Sequence, residues 1–228
     1  MKQTLLIAII ITTFNIVKSQ EIHFQKPDYV LIKKETQEIS SIYYYPDLMS
    51  RLEAFDTTLT SDDYRHLYYG YVFHENYKPY WTSPYEKELV YYYRRKKVRK
   101  NDYDKIIELA NNSINEFPFD LRQLNYLGYI YHLKGEEELA RKITSRFHGI
   151  INAIMSTGNG ESCETGFHVI SVSHEYVMLN MFQFQKKQQS LIGDCDYLEL
   201  IKDERNIEGI YFNIGSLFKK NLEVLKKE

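Results

Sequence analysis

Histidines beside acidic residues are the first candidates for chemistry in this chain. His66 and His74 are eight residues apart on a predicted helix, so they share a face but lie two turns apart. That separation is too large for the two side chains to hold one metal ion by themselves. Glu75 follows His74, but the chain lacks the HExxH arrangement of zinc proteases. We therefore expect no metal site and no cofactor.

A second group consists of His168, His174 and Glu175, in a segment whose apolar residues alternate. On a strand, a separation of six residues places the two histidines on one face but about 20 Å apart. Ser171 and Ser173 lie between them, without the sharp turn that exposes the nucleophilic serine of hydrolases. The segment would form a hydrolase site if one histidine met an Asp or Glu of a neighbouring strand.

Aromatic side chains are frequent, with 21 Tyr, 12 Phe and one Trp in the chain. Many of them lie between Tyr64 and Tyr85, and within this stretch segment 77–84 has the composition of a loop. Most of these rings are expected to fill a helical core. Tyr80 and Trp81 lie on the loop, so we expect them to contact a partner or to stack on a sugar ring.

A run of basic residues begins with Arg94, Arg95, Lys96 and Lys97 and ends at Lys100. The whole chain is mildly acidic, with a formal net charge of −2, so we expect no nucleic-acid partner. We interpret the run as a solvated helix face. An acidic protein, an acidic polysaccharide or lipid headgroups are the alternative partners for these charges.

Glycine and cysteine residues in the second half of the chain suggest turns. Gly158 and Gly160 flank an asparagine, but the Gly-Lys-Ser/Thr sequence of a phosphate-binding loop does not follow. Cys163 and Cys195 are the two cysteines of the chain, and both lie in turn-like segments. In an oxidising compartment they could form a disulfide. Two unpaired thiols are the alternative.

Residues 1–19 have the pattern of a secretory signal peptide. Lys2 precedes the apolar stretch 5–11, and Val17 and Ser19 are small enough to precede a cleavage site. The apolar stretch is too short to span a bilayer. We therefore expect export to the periplasm or the cell exterior, with no transmembrane anchor after cleavage. Without this segment the formal net charge changes from −2 to −4.

Region 20–157 is predicted to be helical, because its apolar residues follow a helical period. Thr60 and Asp63 form a capping box at the start of one helix. Further helices are expected at 45–55 and 85–100.

A repeat is visible further along this region. Asp102 and Glu136 each begin a predicted helix, and they are 34 residues apart. Gly128 and Ala140 are small at the positions where two helices of a hairpin would approach closely. The spacing and the residue types resemble the tetratricopeptide repeat. The resemblance implies stacked helical hairpins that present a groove to a partner.

Region 158–228 is predicted to be rich in β-structure, because the period of its apolar residues changes to two. A final amphipathic helix at 217–226 would cover one face of an antiparallel sheet. The predicted fold class is therefore α+β, with helical hairpins followed by a small sheet. The strands are expected at 167–173, 177–184, 197–201 and 210–214.

Several segments together resemble one known family. They are 55–60, 63–73 and 160–172, which includes Gly-Glu-Ser-Cys-Glu-Thr-Gly-Phe-His-Val-Ile-Ser-Val, and the pair Glu175-Tyr176. These segments are similar to a secreted Bacteroidetes family known as domain of unknown function 4919. The resemblance implies export and a domain of this size, and it carries over no catalytic residue.

The function favoured by the sequence is that of a protein-interaction module of the cell envelope. Helical hairpins present grooves to partners, and no catalytic arrangement stands out. The partner would be another envelope or secreted protein. The alternatives are a glycan-binding protein that uses Tyr80 and Trp81, or a hydrolase with a site in the C-terminal sheet. An enzyme is the less favoured interpretation, and the oligomeric state stays open.

Overall fold

A computed structural model describes residues 23–219. The predicted signal peptide lies outside the described residues, as does most of the predicted helix 217–226. Residues 215–219 are helical. None of the helices in the described range is both long and apolar enough to cross a membrane.

The first part of the chain is helical. Its elements are α1 (Tyr29–Gln37), α2 (Tyr45–Glu53), α3 (Ser61–Gly70) with a 3₁₀ turn (Tyr71–Phe73), α4 (Glu86–Tyr93), a second 3₁₀ turn (Lys100–Asp102), α5 (Tyr103–Glu116), α6 (Leu121–Lys134) and α7 (Glu137–Met155). Successive helices α5, α6 and α7 pack against each other.

Local sequence signals determine where several of these helices begin and end. The predicted capping box of Thr60 and Asp63 is present at the start of α3. Asp102 and Glu136 immediately precede α5 and α7. A Cβ atom on Gly128 would approach Thr144 Oγ1 of α7 to 2.8 Å, so a small residue is required where α6 meets α7. The likeness to tetratricopeptide repeats stays a prediction.

The helix expected at 85–100 is shorter than predicted. Helix α4 ends at Tyr93, so the basic run lies on a turn, and the interpretation as a helix face was wrong. On a continued helix, Arg94 and Lys97 would be like-charged neighbours three residues apart. Arg95 instead lies over the ring of Tyr91, 4.1 Å from its centroid, and forms an ion pair with Asp102.

The second part of the chain contains a four-stranded sheet in the order β1-β4-β3-β2. Its elements are β1 (Phe167–His168), α8 (Val172–Met181), β2 (Lys186–Ile192), β3 (Cys195–Leu200) and β4 (Gly209–Asn213). The predicted α+β class is confirmed. The sheet is mixed rather than antiparallel, because β1 pairs in parallel with β4. No hairpin joins these two strands, so their direction is not constrained by a tight turn.

Two of the predicted strands were wrong in part or entirely. Segment 177–184 belongs mostly to α8, and of segment 167–173 only Phe167–His168 is a strand. Val177, Met178 and Leu179 are consecutive and all buried, so the helix is apolar over much of its circumference. For such a segment, alternation does not distinguish a strand from a buried helix.

The helices and the sheet share one hydrophobic core. It includes Tyr68 and Phe119 from the helical part and Met178 and Phe212 from the second part. The Tyr68 hydroxyl donates to His174 Nδ1 (2.7 Å), so a buried polar contact also joins the two parts. The sheet and α8 are therefore held in a fixed position against α3 and α6.

Candidate functional site

A cleft of about 690 Å³ lies between the loop after α3, the first turns of α6 and α8, and the sheet. We refer to it as the cleft. Of the residues singled out from the sequence, it brings together Tyr80, Trp81, Ser171 and Ser173. These residues come from the helical and from the sheet-containing parts, so the cleft exists only when both parts are folded together.

One wall of the cleft is aromatic. The Tyr80 side chain is 54% exposed, and Trp81 is half-buried against Phe117, with ring centroids 5.1 Å apart. Tyr176 of α8 and Phe218 also line the cleft. Most other rings of the tyrosine-rich segment, such as Tyr68 and Tyr69, are buried in the core. The loop position of Tyr80 and Trp81 thus separates them from the rings that serve packing.

A chain of polar side chains forms the floor of the cleft. The amide nitrogen Nε2 of Gln189 donates to Asp196 Oδ2 (2.8 Å). The Tyr176 hydroxyl donates to Gln189 Oε1 (2.7 Å), and Lys186 Nζ donates to the Tyr176 hydroxyl (2.9 Å). Asp196 is buried on β3 but still lines the cleft, so it can present a carboxylate oxygen to a ligand.

Glu175 lies behind this floor and is fully buried. No described residue donates a hydrogen bond to either of its carboxyl oxygens, which lie beside the Asp196 carboxyl group. Burial, together with the neighbouring Asp196 carboxylate, raises the pKa of Glu175 to about 9. At neutral pH Glu175 therefore holds a proton, which it can donate to Asp196, so the pair of carboxyl groups carries a single negative charge.

The helical side of the cleft carries a second acid and one ion pair. Asp120 is buried at the start of α6 and accepts a hydrogen bond from Ser113 Oγ (2.7 Å), and burial raises the pKa of its carboxyl group. Arg122 forms an ion pair with Glu86 of α4. The positive charge of Arg122 is thus already neutralised, and the Asp196 charge has no cationic neighbour among the described residues that line the cleft.

The serines of the cleft have a structural role in the first turn of α8. Ser171 caps the helix by accepting a hydrogen bond from the Ser173 amide, and the two hydroxyl oxygens are 2.9 Å apart. Among the described contacts, no histidine bonds to either hydroxyl. Both hydroxyls can still bond to a ligand.

The two histidines of the C-terminal part have different surroundings: His174 lies in the core, and His168 lines a cavity that Asp194 also lines. His174 is fully buried, where its Nε2 donates to the Phe119 carbonyl (2.8 Å), and burial lowers its pKa to about 3. It is a neutral core residue. His168 lies in a different cavity from the cleft, and burial lowers its pKa to about 4. The picture of two histidines on one strand face was wrong, because His174 is on α8.

The histidines of the helical part are also separated. His66 Nε2 lies 2.8 Å from Glu35 Oε2, and its ring stacks on Tyr43. His74 stacks instead on Tyr71. Within residues 23–219, no group of three or more His, Cys, Asp or Glu side chains is arranged to hold a metal ion.

The basic run is separate from the cleft. Arg94, Lys96 and Lys97 are exposed, whereas Arg95 is held by Asp102. None of the four is among the described residues that line the cleft. The predicted partner-binding residues therefore fall into two groups, the loop aromatics at the cleft and three exposed cations on the turn after α4.

The cysteines form a disulfide in the structure, between Cys163 and Cys195. Cys195 is the first residue of β3 and precedes Asp196. The bridge therefore attaches the segment after α7 to the strand that carries the floor of the cleft.

Sequence reasoning missed the carboxyl groups of the cleft. A signal for Asp196 was present, because it alternates in phase with Leu198 and Leu200, which face the core. An acid on the apolar face of a strand is buried and has to be paired or protonated. Glu175 gave no such signal, since it lies between two predicted strands, in a segment that is in fact helix α8.

Comparison with known proteins gives one match. The profile of the family described as domain of unknown function (DUF4919) matches residues 30–223. No curated protein and no solved structure matches the chain.

Proposed function

The chain belongs to the family of domain of unknown function 4919, and on that premise we propose, from the geometry of the cleft, that the protein binds a saccharide chain. The observation that carries this proposal is the placement of Tyr80 and Trp81 beside a polar floor formed by Asp196 and Gln189. A sugar ring has apolar faces that stack on aromatic rings and hydroxyl groups that bond to carboxylates and amides. The cleft offers both kinds of surface within one cavity.

The polar groups of the cleft are fixed before a ligand arrives. Asp196, Gln189, Tyr176 and Lys186 form a continuous hydrogen-bonded chain. Groups that are already ordered lose little conformational freedom on binding. The cleft is also large enough for more than one sugar ring, since ligand cavities usually fall between about 300 and 1,000 Å³.

We also propose that the protein acts outside the cytoplasm, in the periplasm or at the cell exterior. The signal-like residues 1–19 support this location, and so does the disulfide, because such bonds persist in oxidising compartments. Saccharide chains are abundant at cell surfaces, which fits a binding protein of this kind.

Replacing Trp81 by alanine is expected to weaken saccharide binding by about tenfold, because a stacking ring contributes roughly 0.5–1.5 kcal/mol beyond the area it buries. Trp81 is the single tryptophan of the chain. Its fluorescence therefore reports on the cleft alone. We would titrate the wild-type protein with neutral, acidic and amino hexasaccharides, follow the emission of Trp81, and measure the variant by calorimetry.

The matched control is Tyr129→Ala, because Tyr129 is 48% exposed on α6 and lies outside the cleft. It should bind like the wild type. If no hexasaccharide changes the emission of Trp81 or gives heat on mixing, the saccharide proposal is wrong. The same conclusion follows if Trp81→Ala and Tyr129→Ala bind equally well.

A second candidate function rests on the exposed basic turn. Arg94, Lys96 and Lys97 are exposed and make no ion pair within the described range. We propose that this turn contacts an acidic surface of another envelope or secreted protein. Three free cations close together attract an acidic partner and accelerate its association.

Reversing these three charges to glutamate is expected to remove such a partner from the proteins cross-linked to a tagged copy in living cells. Fold and cleft should be unaffected, because none of the three side chains is buried or lines the cleft. The comparison is made by mass spectrometry of the cross-linked material, with Lys33→Glu as a single-charge control on α1. Equal recovery of the partner with both variants would contradict the role of the turn.

A further inference from the structure

The cleft is chemically asymmetric, because its negative charges outnumber its available positive charges. Asp196 is a buried carboxylate at the cleft floor, and its hydrogen-bond partners are neutral: the amide of Gln189 and the protonated Glu175. The cationic lining residue in the described part of the chain is Arg122, and Glu86 already pairs with it. A buried carboxylate without a cationic partner is costly, since its charge loses hydration.

A second acid lies behind Asp196 and is protonated at neutral pH. Glu175 is fully buried directly behind Asp196, and both of its oxygens are without a hydrogen-bond donor among the described residues. Two carboxyl groups at this depth exceed what packing requires, because an apolar residue of similar size would fill the space at lower cost. A buried acid that adjoins a second carboxyl group beside an open cavity is a candidate for a functional site.

Other charged groups near this pair do not remove the imbalance. Lys186 of β2 is not among the described residues that line the cleft, its Nζ bonds to the Tyr176 hydroxyl, and of the groups that shift the pKa of Glu175 it has the smallest influence. His174, the neighbour of Glu175 on α8, is neutral because its pKa is lowered to about 3. On the helical side Asp120 adds a further acid to the lining.

We propose that the saccharide bound in the cleft carries a free amino group, and that its ammonium ion binds at the carboxyl pair of Asp196 and Glu175. This inference rests on the proposed saccharide binding and specifies its chemistry. An ammonium group brings a full positive charge and several N–H donors. It bonds to a carboxylate oxygen of Asp196, while the rings of Tyr80 and Trp81 offer faces that attract cations.

The same geometry disfavours the N-acetylated form of the sugar. Acetylation removes the positive charge and leaves one N–H donor, so the charge at the floor would stay uncompensated. A charge-assisted hydrogen bond is about twice as strong as a neutral one. We therefore expect the amino sugar to bind about tenfold more tightly than its N-acetylated form, a difference of about 1.4 kcal/mol.

The test compares a glucosamine hexamer with an N-acetylglucosamine hexamer by calorimetry at pH 6, where an amino sugar is largely protonated. The wild-type protein should prefer the glucosamine hexamer by about tenfold. Asp196→Asn should reduce this ratio to near one, because the floor then holds no carboxylate for the ammonium group. Glu175→Gln should keep the preference, because Asp196 retains the negative charge.

Glu199→Gln is the matched control, since Glu199 is also on β3 but pairs with Lys187 outside the cleft. It should behave like the wild type. If the wild-type protein binds the two hexamers with equal affinity, this inference is overturned while the saccharide proposal stands. This comparison of the two affinities needs no variant. The tripeptide Ala-Lys-Ala offers an ammonium group without a sugar. If it binds and neither hexamer does, both the amino-sugar inference and the saccharide proposal are wrong.

Discussion

Glu175→Gln is expected to stabilise the protein by about 3 kcal/mol at pH 7, because glutamine mimics the protonated acid without the cost of keeping a proton there. Most buried substitutions destabilise a protein, so an increase of this size would be diagnostic. The structural basis is the complete burial of Glu175 beside Asp196, which raises its pKa to about 9 from an ordinary value of 4.5.

The way this stability difference changes with pH follows from the different pKa values of Glu175 in the folded and unfolded chains. Unfolded Glu175 ionises above its ordinary pKa of 4.5, whereas folded Glu175 keeps its proton up to a pH of about 9. The group therefore contributes its full stability below pH 4.5, and this contribution is lost as the pH rises towards 9. The advantage of the glutamine variant should be below about 1 kcal/mol at pH 5 and should grow by roughly 1.4 kcal/mol for each pH unit above it.

Urea unfolding of both proteins at pH 5, 7 and 9 measures this difference directly. Glu199→Gln serves as the control, because its carboxylate is partly exposed and pairs with Lys187; it should change the free energy of unfolding by less than about 1 kcal/mol at each pH. If Glu175→Gln is less stable than the wild type at pH 7, Glu175 is ionised in the folded protein and the single-charge description of the pair is wrong.

A stabilising outcome would also bear on function. The wild-type chain would then carry a residue that costs stability at neutral pH although a neutral residue of the same shape is available. Proteins retain such residues where activity or binding requires them. Glu175 lies directly behind the cleft, beside the Asp196 carboxylate that the proposed ammonium group would contact.

Elements with a local signal could be predicted from the sequence. The capping box at Thr60 and the turn at Gly135, which has a φ of +83°, are determined by a few neighbouring residues. Strands β3 and β4 alternate cleanly because one face is buried and the other is less so. In these cases the residue types and the burial pattern carry the same information.

Elements whose environment is set by distant residues could not be predicted in this way. Strand β2 is an edge strand with mostly exposed polar residues, so it lacks an apolar pattern. Helix α8 is buried against α6 and the sheet, so its apolar residues follow no helical stripe. The cleft depends on both elements, which explains why its loop aromatics could be proposed from the sequence and its carboxyl floor could not.

Loss of the disulfide is also expected to have a large effect on the free energy of unfolding. Replacing both Cys163 and Cys195 by alanine is expected to lower the free energy of unfolding by about 3–4 kcal/mol, because the bridge closes a loop of 32 residues and thereby restricts the unfolded chain. The variant should also bind its saccharide less tightly, since Cys195 immediately precedes Asp196 on β3. Urea unfolding with and without a reductant measures the first effect, and calorimetry measures the second.

The reductant supplies the internal control for this prediction. Wild-type protein should lose stability on reduction until it approaches the double variant, whereas the double variant should not respond. Equal stability of oxidised wild type and variant would show that the bridge contributes nothing. A loss of several kcal/mol would instead be a large share of the 5–15 kcal/mol typical of a folded domain. The folded state, and with it the carboxyl floor of the cleft, would then depend on an oxidising compartment, as the proposed export requires.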